Sequence, residues 1–170
     1  MRIFIPATSS DLSAEAIAPR IVHMLTPELE RVIGAEEPEY LEAIAMNAAA
    51  DDSLRLLSLD ESAAPCRVVI AADAPAAELS MPLQATAPSQ HTPSEHPDED
   101  EELLPTARSL RVPLDWGAVE SIHADGEEAL ADITLARGGD EEAFERVAEE
   151  DLMWYDVAER GLLARELDRR

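Results

Sequence analysis

The chain contains no lysine, so all 13 of its cations are arginines. Asn occurs once and Gln twice against 29 alanines, a usage that reflects coding bias more than a chemical requirement. A single cysteine, Cys66, excludes an internal disulfide framework and a zinc ribbon, and suits a reducing cytosol. It opens an apolar run and reads as a small core hydrophobe. No stretch approaches the roughly 20 apolar residues of a membrane span. The apolar start Ile3-Phe4-Ile5 is far too short for a signal peptide. Also missing are the glycine-rich phosphate loops, the G-x-S-x-G elbow, H-E-x-x-H and paired C-x-x-C motifs, so no catalytic signature is present.

What the chain has in excess is negative charge: 37 Asp and Glu, a net charge of −24 and a pI near 4.2. Such a surface repels phosphates and anionic lipid, which argues against nucleic-acid or membrane partners. The stretch 73–107 holds eight acids and no base, leaving 29 acids against 13 arginines elsewhere. The remainder is therefore acidic in its own right. A hydrophobic content of 46% is too high for a wholly disordered chain, and 170 residues suit one cytoplasmic domain with a real core.

Residues 2–6 read as a strand stopped by Pro6. Ser9, Ser10 and Asp11 offer caps for a short helix before Pro19, and residues 21–25 read as extended. Thr26-Pro27-Glu28 has a capping hydroxyl, proline at the first helical position and a first-turn acid. Two helical pieces follow to about Leu59, parted near Gly34. The second, 38–59, places Leu41, Ile44, Ala45 and Ala48 on one face, yet that face continues as Asp51, Asp52 and Arg55. Leu54 and Leu57 lie elsewhere, so a long helix packed on two sides is expected. Arg67–Ala72 is the clearest strand. Seven of twelve prolines fall between Pro75 and Pro113, and 73–107 reads as a disordered acidic insertion.

Beyond it, Leu110–Val112 suggests an edge strand and Val119–Ala124 a further strand. Asp125-Gly126-Glu127-Glu128 has the form of a capping box for a helix carrying Leu130 and Ile133 and closed by Gly138-Gly139. A helix from Asp140 places Phe144, Val147 and Ala148 together. Leu152–Tyr155 reads as the last strand, and Asp156-x-x-Glu159 as a second capping box before Leu162, Leu163 and Leu167. The order is βαββαβ, which predicts an α+β fold with a ferredoxin-like core, additional helices and the insertion in a hairpin connection.

Few residues stand out chemically. Asp51 and Arg55 are four apart on a helix and form a potential ion pair, internal if the helix is covered on both sides. His123 ends a strand, where sites in mixed folds often collect, and is a natural acid–base group. Its neighbour Asp125 is accounted for as a cap. His23 has no evident partner. His91 and His96 precede a run of acids, but with no ordered ligand spacing, so the run reads as solvated and no metal or cofactor is expected. Trp154 and Tyr155 alternate on one strand, one facing the core and the other available to anchor a partner.

The opening M-R-I-F-I-P-A-T, the strand R-V-V-I-A-A-D, the segment V-E-S-I-H-A-D and the closing L-M-W-Y-D-V together resemble an actinobacterial family of small uncharacterised proteins. The likeness covers most of the chain outside 73–107, which departs from a shorter connection in that family. It implies kinship of fold, and brings no activity, ligand or catalytic residue. Three functions remain as expectations. The first is a non-enzymatic interaction or regulatory module, with a protein partner or a second copy. The second is a small-molecule binder or enzyme using a cleft near Asp51, Arg55 and His123. The third is an acidic mimic of nucleic acid that occupies a basic partner.

Overall fold

The computed structural model describes residues 1–34, 37–82 and 104–169. Its framework is a sheet of seven strands: β1 (Arg2–Ala7), β2 (Ile21–His23), β3 (Val68–Asp73), β4 (Leu79–Ser80), β5 (Ala107–Leu110), β6 (Val119–Ala124) and β7 (Met153–Tyr155). They lie in the order β4-β5-β2-β1-β3-β6-β7, with every neighbouring pair antiparallel. Among the described residues five α-helices accompany them: α1 (Pro27–Ile33), α2 (Pro38–Leu59), α3 (Leu130–Arg137), α4 (Glu141–Glu149) and α5 (Arg160–Leu167). The fold is thus α+β. Among the described residues no helix is long and apolar enough to cross a membrane.

The central strands read as continuous apolar runs because both of their faces are covered. Ile3, Ile5, Val68, Ile70, Ile122 and Ala124 point to one side, into a core shared with Leu12, Ile17, Leu163 and Leu167. Phe4, Val69 and Ala71 point to the other and meet Ala45, Ala49 and Ala50 of α2. Alanine there lets the helix backbone approach the sheet closely, while further along Leu54 and Leu57 join Ile133 of α3 and Val147 of α4. So α2 is one helix buried on two sides. Its turn-over point is Ser53, fully buried, whose hydroxyl donates to the Ala7 carbonyl at 2.6 Å and accepts from the Val68 N–H at 2.9 Å.

Local signals placed the helix ends. Thr26 accepts from the Leu29 N–H, Asp140 from the Ala143 N–H, and Asp156 with Glu159 forms a reciprocal capping box. Gly34 ends α1 at φ 101°, a backbone conformation that glycine adopts without a steric penalty.

Three expectations need correction. In a split βαβ unit the third strand lies between two parallel strands, but here β1 and β3 are adjacent and antiparallel, and β1-β3-β6-β7 follow in chain order. The ferredoxin-like order is therefore not the one observed. The extra strand β2 and helix α1 reverse the chain before α2, so β3 returns antiparallel to β1. The stretch 73–107 is not all insertion: Asp73 ends β3, 79–80 forms β4 and Ala107 starts β5. The disorder reading for 83–103, and the histidines His91 and His96, lie outside the described residues. The strand near Leu110 is not at the edge, because β4 pairs with its outer side.

Candidate functional site

Arg67, one residue before β3, and Asp125, one after β6, are brought face to face because Val68 pairs with Ala124. Both are almost fully buried, at 2% and 1% exposure. Arg67 Nε and Nη2 donate to the Asp125 carboxylate at 3.0 and 2.7 Å, and the Arg67 N–H donates to the same group at 2.7 Å. Nη2 also donates to the Glu150 carbonyl at 3.0 Å. The capping role expected of Asp125 is therefore wrong. Its carboxylate is committed to Arg67, and the helical turn at 127–129 starts without a side-chain cap.

Above this pair, between α2 and the end of α4, lies a cavity of about 320 Å³. Met46, Asn47, Ala50 and Asp51 line one wall, the segment 148–152 the other, and Arg67 contributes to the lining. Asp51 is half-buried and makes no hydrogen bond or ion pair among the described residues. Burial raises its pKa, against the pull of the Arg55 and Arg67 charges. Arg55 itself is exposed and pairs with Asp52, three residues back, rather than with Asp51.

Asp52 turns instead toward β2, where its carboxylate meets His23 Nε2 at 2.9 Å, while His23 Nδ1 lies 2.8 Å from the Thr106 hydroxyl. Burial alone would raise the Asp52 pKa, but His23 and Arg55 hold it below the ordinary aspartate range. His23 and Thr106 are buried and Asp52 is partly exposed, and this chain of contacts ties β2, α2 and the lead into β5 together. It was invisible in the sequence, since its members are 29 and 83 positions apart.

His123 does not reach the cavity. It lies on β6 with Nε2 3.0 Å from the Ser121 hydroxyl, and desolvation lowers its pKa. The β6–β7 register sets it directly opposite Trp154, so the two side chains share a sheet face at cross-strand distance. Trp154 is 61% exposed. Tyr155 turns to the opposite face and packs on the main core. Of the five candidates, then, Asp51 lines the cavity, Arg55 stands outside it, His123 and Trp154 form a patch on the last two strands, and Tyr155 supports the core. Arg67 is the buried charged residue of the cavity that sequence reasoning missed, along with Asn47 and the acids at 149–151. Its only signal was a charge abutting an apolar β-branched run. Among the described residues no cluster of His, Cys, Asp and Glu is arranged to hold a metal ion.

The sequence pattern of DUF6912, a family of unknown function, matches residues 1–163. The chain belongs to this family. The matched span contains Asp51, Arg67, His123 and Trp154, but membership in DUF6912 assigns none of them a role. No curated protein and no solved structure matches the chain.

Proposed function

We propose that this DUF6912 protein is a non-enzymatic interaction module that receives an extended, basic segment of a partner protein along the β7 edge. The observation that carries the reading is Trp154, 61% exposed on a terminal strand of the sheet. Among the described residues β7 pairs only with β6, so its outer N–H and C=O groups are open to strand addition. A large aromatic held on such an edge provides apolar area at low entropic cost, as interface anchors do. Charge selects the partner: at −24 a second copy of the chain repels, whereas a basic segment is attracted. The same charge favours a basic protein without requiring mimicry of nucleic acid, because many acids serve as helix caps and first-turn residues.

The test uses a labelled strand-forming peptide of alternating Arg and Val, with a Glu–Val counterpart, titrated into wild type and Trp154→Ala. The Arg peptide is expected to bind and to lose roughly tenfold or more in affinity with the variant, about 1.4 kcal/mol. The Glu peptide should not bind. Equal affinity of wild type and variant for the Arg peptide would sink the proposal. A wild-type dimer abolished by Trp154→Ala would show instead that the edge serves self-association.

A further inference from the structure

The Arg67 guanidinium has one nitrogen left over. Nε and Nη2 are engaged by Asp125 and Glu150, but Nη1 has no hydrogen-bond partner among the described residues. The side chain is almost wholly buried and lines the cavity beside α2. The guanidinium is reachable from the cavity, and its planar donor pair suits a carboxylate. Asp51 lines the same cavity close enough to feel the Arg67 charge, and its own carboxylate has no partner among the described residues. Glu149, Glu150 and Asp151 form the rim on the other side. An anion alone would meet four carboxylates there, and a bare cation would leave Nη1 unanswered.

We infer that this cavity binds a small basic amino acid or a close analogue, its carboxylate on Arg67 Nη1, its α-ammonium against Asp51 and its side-chain cation toward the rim at 149–151. The volume of about 320 Å³ suits a molecule of this size, near the lower end of the roughly 300–1,000 Å³ range of ligand pockets. Asn47 supplies a neutral amide, and Met46, Ala50 and Leu152 supply apolar wall for the aliphatic stem. Burial raises the Asp51 pKa while the Arg55 and Arg67 charges pull it down, so an ammonium placed against it would favour the ionised carboxylate further. This site does not depend on the β7 reading.

Calorimetric titration separates the contacts. L-arginine is expected to bind saturably. Agmatine, which lacks the carboxylate, and Nα-acetyl-L-arginine, which lacks the α-ammonium, should each bind at least about tenfold more weakly. Asp51→Asn, a near-isosteric change at a half-buried position, should weaken L-arginine by a similar factor while keeping the wild-type melting temperature. Trp154→Ala should bind L-arginine as wild type does, so failure here and failure of the β7 proposal give different patterns. No saturable binding of L-arginine, equal binding of agmatine, or loss of binding in Trp154→Ala alone would each overturn the assignment.

Discussion

At the level of single residues the most consequential pair is Arg67 and Asp125. Each removes the other's cost: a buried guanidinium without its carboxylate would leave an uncompensated charge in a site of low polarity. Asp125→Ala is predicted to lower the unfolding free energy by about 3–5 kcal/mol, read from the urea midpoint. The double variant Arg67→Met with Asp125→Leu should recover most of that loss, because removing both charges also removes the desolvation penalty. A loss under about 1 kcal/mol in Asp125→Ala would mean that water reaches the pair and screens it. The sequence carried half of this interaction. Arg67 stood visibly at the start of an apolar strand, while Asp125 followed by Glu128 had all the residues of a helix cap. Local pattern favours the cap because it needs only neighbouring backbone, whereas the ion pair needs the β3–β6 register.

Among the elements, α2 organises the molecule. Its 22 residues have no consistent apolar face because one half packs on the sheet and the other on α3 and α4. The switch of faces was legible from the sequence, since Leu41 and Ala45 fall out of phase with Leu54 and Leu57. The role of Ser53 was not. Its hydroxyl takes the place of a missing ladder partner for both Ala7 and Val68. Ser53→Ala is expected to cost about 1–3 kcal/mol, the range for leaving buried backbone groups unpaired. Amide exchange at Val68 should then rise while exchange in α5 stays at the wild-type rate. Unchanged protection of Val68 would count against the clamp. Asp51, Asp52 and Ser53 are consecutive yet face a cavity, a buried histidine and the sheet, so the ~100° step between helical neighbours separates three jobs.

Across the whole molecule, charge has the widest effect. With 29 acids against 13 arginines outside 73–107, the folded body repels itself, and several of its ion pairs, such as Arg146–Asp132 and Arg31–Glu28, are exposed. Screening relieves the repulsion at longer range. Raising NaCl from low concentration to about 0.5 M is therefore predicted to raise the melting temperature by on the order of 3–6 °C, equivalent to about 1–2 kcal/mol. A fall with salt would show that the ion pairs outweigh the repulsion.

By itself the sequence determined the α+β class, the positions of β1, β3, β6 and β7, and the caps at Thr26, Asp140 and Asp156. These depend on side-chain periodicity and on hydrogen bonds spanning a few residues, so the information is local. Only the tertiary structure decided the strand order, the reversal that makes β3 antiparallel to β1, and the separation of Asp51, Arg55 and His123. It also decided the pairing of Arg67 with Asp125 across 58 positions and of His23 with Asp52 across 29. Those contacts follow from register and from which helix covers which face, and these are set when the whole core packs at once.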